Sequence, residues 1–375
     1  MLCGLRGTIL ITLSILNACN AELKMIQATI RHGDRYPSGL QFALATYPND
    51  PHINNTWVTS GEMLLTEKGK SNAYKMGVLL RERYNELLGL KYDPDVIYMR
   101  SSPTNRTIDT GRLIAAGIYP ELKPLTFSSN HLDDIKVSMF SKPFLEDTLH
   151  YSMLLCKNYR LDRIKSDAQV NELLGILTDV QKFYDYLSLH TGVKHTRIFQ
   201  SFELYHNLAS HTSLGLQLEP WVHSVFPSGK LVDFASIEYK LQSYTTRMKR
   251  LLGGVWIKKF LDTAYDFKHE TNTNRKAYFY FSHETQIVGI LNTLGVYKPH
   301  VPSYLSSVIF ELHEIDNTFY VKVIYKNENK FTDLVIPGCQ KSLCELGTFK
   351  KVLENVIPDD FETDCGKRGL FYSSV

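Results

Sequence analysis

The 375-residue chain contains no basic run of five or six residues, and 42 Lys and Arg against 39 Asp and Glu leave a formal charge of only +3. Losing the N-terminal segment with Arg6 would reduce this to +2. That bias is too small to draw the protein to nucleic acid or to an anionic membrane surface. Beyond the N-terminus no stretch approaches the ~20 apolar residues of a membrane-spanning helix, so no membrane association is expected of the mature chain. Internal repeats and low-complexity tracts are absent too. Two familiar site motifs fail on a single residue each. Gly69-Lys70-Ser71 has the tail of a phosphate-binding loop, but Leu64 occupies the place of its upstream glycine. His283-Glu284-Thr285-Gln286-Ile287 begins like a zinc-protease helix and has Ile287 where the second histidine belongs.

What remains is an ordinary globular composition, 43% hydrophobic and 22% charged. The length suits two domains, or one large domain with an insertion. Arg6, the apolar run Thr8 to Leu16, and the small residues Cys19 and Ala21 form the three parts of a secretory signal over residues 1–21. The protein is therefore expected to be secreted, or held in a lumenal or lysosomal compartment. Of six cysteines, Cys3 and Cys19 would leave with that segment. Cys156, Cys339, Cys344 and Cys365 form an even set in an oxidising compartment, which favours two disulfides. Three pairings are open. Cys339 with Cys344 suits a local clip at a strand end, which leaves Cys156 with Cys365. Asn54-Asn55-Thr56 and Asn105-Arg106-Thr107 are glycosylation acceptor sequences.

The densest cluster of reactive groups is Arg31-His32-Gly33-Asp34-Arg35-Tyr36-Pro37. It follows an alternating apolar run, Met25 to Ile30, that predicts a buried strand. Gly33 and Pro37 then turn the backbone at the end of that strand, where ligands bind in open α/β sheets. An imidazole between two guanidinium groups is disfavoured from carrying a proton. Neutral, and flanked by two anion-binding forks, it can attack a phosphorus atom.

Two more strand ends bring matching chemistry. Asp95 to Arg100 predicts a strand that ends in an arginine, followed by a helix capped by Thr104 or Asn105 and running to Ile118. Lys276 to Ser282 is the clearest strand in the chain, and it ends at His283-Glu284 before an apolar helix. Strands are also expected over Ser306 to His313, Thr318 to Tyr325 and Thr332 to Ile336, followed by a short polar C-terminal segment. Between these blocks, Glu146 to Leu189 is helical in pattern. His206, His211 and His223 fall in the middle of the chain without ligand spacing and are expected to lie in the cap or on the surface. Phosphoryl transfer through an enzyme intermediate needs a neutral nucleophile, cations on the non-bridging oxygens and an acid for the departing alkoxide. His32 would be the nucleophile, Arg31, Arg35 and Arg100 the phosphate clamp, His283 a further donor, and Glu284 the proton donor that later activates water. No metal and no cofactor is required by such a set.

The strings Arg31 to Pro37, Arg100 to Thr107 and Phe281-Ser282-His283, with the C-terminal cysteines, resemble in order the histidine acid phosphatases. The pattern is most similar to secreted invertebrate members, venom acid phosphatases among them. The resemblance implies an α/β fold in which a mixed, mostly parallel sheet is flanked by helices, as in phosphoglycerate mutases, with an α-helical cap inserted. That divides the chain into the signal peptide (1–21), a first part of the phosphatase core (22–130), the cap (131–235) and a second part of the core (236–375). It further implies hydrolysis of small phosphomonoesters or phosphoproteins at acid pH, Cys156–Cys365 and Cys339–Cys344 bridges, and Arg100 as a phosphate ligand. Family members are often homodimers, though no stretch here marks a contact surface. The family usually has Asp where this chain has Glu284, a side chain longer by one methylene. Two alternatives follow: a phytase-like inositol-phosphate phosphatase, against which residues 131–235 offer no obvious basic cluster, and a catalytically weak secreted scaffold.

Overall fold

In the computed structural model, which describes residues 21–55, 63–123, 129–170, 174–175, 179–271 and 274–369, one sheet organises the chain. Its strands are β1 (Glu22–Arg31), β2 (Ile97–Ser101), β3 (Met139–Ser141), β4 (Ala277–Ser282), β5 (Ser307–Ile315), β6 (Thr318–Asn327), β7 (Lys330–Leu334) and β8 (Leu343–Glu345). They lie in the order β3-β2-β4-β1-β5-β6-β7, with β8 also on β6. The β3-β2-β4-β1 half is parallel and the remainder antiparallel. The expected α/β class with a mixed sheet is therefore observed. The expected signal segment and Thr56 of the first acceptor sequence lie outside the described residues.

Alternation along the strands builds a core on each face, as a sheet covered on both sides requires. Ile26, Ala28 and Ile30 of β1 join Phe279 and Phe281 of β4 on one face. Helices α1 (Glu67–Arg83) and α2 (Asn105–Ile118) cover them. Tyr278 and Tyr280 of β4 join Phe310 of β5 on the other face, with Trp256 and Phe260. Its helices include α6 (Val255–Lys268) and α7 (Glu284–Thr293), whose numbers follow chain order after three cap helices given below. Thr66 caps α1, its hydroxyl accepting from the Gly69 amide. The β5–β6 hairpin turns at Asp316 and Asn317, both at positive φ, as tight hairpins need.

Gly253-Gly254 forms a π-helical turn running into α6. A Cβ at Gly253 would lie 2.2 Å from the Gly289 carbonyl oxygen, so the glycine serves close packing against α7. The C-terminal segment is not merely polar, since helix Leu346–Leu353 buries Leu346, Phe349 and Leu353 against the sheet. The helical segment includes α3 (Thr148–Leu155), α4 (Ile198–Ser213) and α5 (Lys230–Leu241). It has a core of its own around Phe183, Leu187, Leu204, Leu208 and Phe234. The 130/131 boundary falls inside the 3-10 helix Ser129–Asp134 and the 235/236 boundary inside α5, so neither expected cap boundary falls between elements. Both disulfides, Cys156–Cys365 and Cys339–Cys344, are formed.

Candidate active site

Sheet register decides which side chains reach the site. Arg31, the last residue of β1, pairs with Ser282, the last of β4. His32 and Ser102 continue past these ends, their amides donating to the carbonyls of Ser282 (3.0 Å) and Phe281 (3.1 Å). The three strand ends thus form one ledge. Behind it the turn of the first motif presses on α1: a Cβ at Gly33 would lie 2.9 Å from the Gly69 carbonyl oxygen, which leaves room only for glycine.

His32 is buried, and its Nδ1 lies 2.9 Å from the Gly33 carbonyl oxygen. A carbonyl can only accept, so Nδ1 carries the proton and Nε2 keeps its lone pair. That Nε2 lies 3.8 Å from Glu284 Oε2. Burial first, then the Arg106 and Arg31 guanidinium groups, holds the imidazole well below its ordinary pKa. Glu284 opens α7, where the helix dipole favours a carboxylate. Burial pushes its carboxyl up, but Arg31, with its Nε 3.0 Å from Oε2, and the surrounding imidazoles win and hold it well below the carboxylate range. The angle at that contact is not that of a hydrogen bond, and neither atom has another partner among the described residues. It is an ion pair, which leaves the Arg31 Nε–H free to donate to a ligand and Glu284 Oε2 free to accept from one.

His283 precedes Glu284 and packs edge-on to His32, ring centroids 5.5 Å apart. Its Nε2 is 3.0 Å from Ser102 Oγ and its Nδ1 3.4 Å from Arg106 Nη2. Burial and the Arg106 charge keep this ring neutral as well. Arg106 can only donate, so Nδ1 accepts from it and Nε2–H donates to the Ser102 hydroxyl. Arg35 is buried in the same turn, donating to the Tyr36 carbonyl.

Arg100, expected to be the third phosphate-binding arginine, is not brought to this ledge. It pairs with Tyr280, two residues short of the strand end, and its side chain lies over Phe140 and on the fully buried Asp147 at 2.6 Å. Asp147 in turn holds His150 at 2.6 Å. Its charge is thus committed behind the site. The arginine that arrives instead is Arg106, six residues on, in the first turn of α2. Burial and the neighbouring Arg35 lower its pKa to about 10, which leaves it charged at any working pH. Its signal was its place just past the helix cap in the same string, where a side chain turns back over the strand ends.

The helical segment adds groups that spacing did not single out. Helix α4 crosses the site with His206 Nε2 3.9 Å from Glu284 Oε1 and 3.0 Å from the Tyr239 hydroxyl. Ser213 Oγ reaches Asp34 at 2.8 Å. Tyr304, from the loop before β5, stacks on Arg31 with the guanidinium carbon 4.4 Å from its ring centre. Asn54 is exposed, and Asn105 is exposed at the start of α2.

A neutral histidine with a free Nε2, three arginines and a carboxyl group gathered around the ends of β1, β2 and β4 are the kinds of group that phosphoryl transfer uses. The chain belongs to the histidine phosphatase superfamily, branch 2, whose family pattern matches residues 22–326. The venom acid phosphatase Acph-1 of Apis mellifera is 31% identical over 96% of this chain and 92% of its own. The lysosomal acid phosphatase of Rattus norvegicus is 27% identical over 92% of this chain and 80% of its own. Among solved structures, the phytase of Klebsiella sp. ASR1 shares the fold with a TM-score of 0.69 at 16% identity, over 90% of this chain and 98% of its own.

Proposed function

We propose that the protein is a secreted acid phosphatase that hydrolyses phosphate monoesters through a phosphohistidine on His32. One observation supports this most: the Gly33 carbonyl holds His32 in the tautomer that leaves the Nε2 lone pair free, with Glu284 3.8 Å from it and the Arg106 and Arg31 charges acting on the ring. In the first step Nε2 attacks phosphorus and the P–O bond to the alcohol breaks. Glu284 gives its proton to the departing oxygen. Arg31, Arg35 and Arg106 bear the charge on the non-bridging oxygens, and once Arg106 turns from His283 Nδ1 to the phosphate, His283 can take its proton on Nδ1, with Ser102 donating to Nε2, and add a donor. In the second step water attacks phosphorus, Glu284 takes its proton, and the P–N bond breaks to return neutral His32 and release phosphate.

Glu284 is a carboxylate in the free protein because Arg31 pairs with it. A phosphate dianion that occupies Arg31 removes that pull and adds a negative charge, so Glu284 gains its proton as substrate binds, more readily at acid pH. Secretion is supported by the venom relative and by both disulfides among the described residues. Exposed Asn54 is the proposed glycosylation site, and Asn105 has the same exposure at the helix start. The likeness to phytases is one of fold, and the placement of Glu284 beside His32 favours a working enzyme over a weak scaffold. The test is His32→Ala assayed on an aryl phosphate at about pH 5. Activity should vanish while thermal unfolding is unchanged, and appreciable turnover in the folded variant refutes the assignment.

A further inference from the structure

Beside the catalytic ledge, on the α1 side of the sheet, lies a cavity of about 360 Å³. Its wall towards His32 is Tyr304, whose ring centre is 5.9 Å from that of His32. Three ammonium groups line it. Lys68 and Lys75 come from α1, and Lys326 from the end of β6, where it pairs with Ser307 at the sheet edge that carries Arg31. Lys326 differs from the other two. Only 4% of it is exposed, and among the described residues its one hydrogen bond is to the Leu305 carbonyl oxygen at a long 3.3 Å. An ammonium group offers three donors. A buried cation with no carboxylate on it is costly unless an anion completes it. The two acidic residues of the wall do not meet that need. Asp34 is committed to Ser213 (2.8 Å), Asn72 (3.1 Å) and Lys68 (3.8 Å), and Glu328 is exposed on the β6–β7 turn. Burial lowers the Lys326 pKa to about 8, so at acid pH the group is charged.

We propose that this cavity is an anion subsite, centred on Lys326, that takes the second phosphate group of a bis-phosphorylated substrate whose scissile phosphate lies on His32. The volume is that of a small-ligand site. The shared Tyr304 wall, which touches both Arg31 and His32, places the two anion positions side by side. Exposed Lys68 and Lys75 add attraction that salt screens, whereas buried Lys326 supplies the specific contact.

The inference rests on the phosphatase reading, and one experiment separates the two. The full chain is assayed on alkanediol bisphosphates of increasing chain length and on the matching monophosphates, as wild type, Lys326→Met and Lys68→Gln/Lys75→Gln. For at least one chain length the wild type should show a KM about tenfold lower for the bisphosphate, the worth of one charged hydrogen-bonded contact. Lys326→Met should abolish that advantage and leave kcat and KM for the monophosphate within about twofold. The double variant, which leaves the buried group in place, should weaken the advantage only at low salt. Equal KM ratios in wild type and Lys326→Met overturn the subsite. Inorganic phosphate separates the two sources of the anion. Inhibition at two sites, one lost in Lys326→Met, without any bisphosphate advantage, makes this a site for free phosphate and overturns the substrate role. A wild type inactive on every monophosphate refutes the phosphatase reading itself. In that case calorimetry with inorganic phosphate still tests the subsite, which predicts a binding event that Lys326→Met removes.

Discussion

Arg31 Nε lies 3.0 Å from Glu284 Oε2, so the proposed acid and part of the proposed phosphate clamp are each other's partners until a substrate separates them.

Replacing Glu284 with Gln keeps the shape and removes the proton. Turnover of alkyl phosphates, whose leaving groups need protonation, should fall by about 100- to 10,000-fold, and that of nitrophenyl phosphate far less. Glu284→Asp withdraws the carboxyl group from both Arg31 and His32, and should lose roughly 100-fold on alkyl phosphates. Rates on a series of leaving groups check both. Equal losses on good and poor leaving groups would mean that Glu284 is not the acid.

Arg106 and Arg100 should separate cleanly. Arg106→Ala removes one charge from the developing phosphoryl centre and should cost about 100- to 1000-fold in kcat/KM with little change in melting temperature. Arg100→Ala leaves Asp147 buried with a charge and only His150 beside it. It should destabilise the fold by about 3–5 kcal/mol. Thermal melts and kcat/KM on both variants check the pair.

The difference between these two arginines shows how far the sequence could be read. His32, Arg31, Arg35, His283 and Glu284 were legible because each lies within four residues of a strand end that announces itself by alternation. Arg100 also ends an alternating run, but register sets its depth: it is level with Tyr280 and Thr29, below the ledge, and faces Asp147. Register depends on strands far apart in the chain, so residues 95–107 alone do not show it. His206 was illegible for the same kind of reason. Only the packing of α4 across the sheet brings it to Glu284. The strands were legible because local pattern sufficed, whereas cysteine count called for two disulfides and left their pairing open.

Acid should weaken the fold through buried histidines. His195 is buried beside Thr191 Oγ1 (3.1 Å), and desolvation lowers its pKa to about 4. In the unfolded chain it titrates near 6.5, so below that pH the unfolded state binds the proton first. Stability from this group is full above about pH 6.5 and declines as pH falls towards 4. His195→Gln should therefore gain on the wild type by on the order of 1 kcal/mol between pH 7 and 4.5, as read from urea midpoints at the two values. A gap that does not change with pH would contradict this.

The central claim is a covalent bond between phosphorus and His32 Nε2. Rapid acid-free quenching of the enzyme during turnover of a radiolabelled aryl phosphate, followed by peptide mapping, tests it most directly. The account predicts label on the peptide containing His32, stable in base, lost in acid, and absent in His32→Ala. Under the same quench, turnover in the steady state without any label on that peptide, or label that persists in His32→Ala, would contradict it.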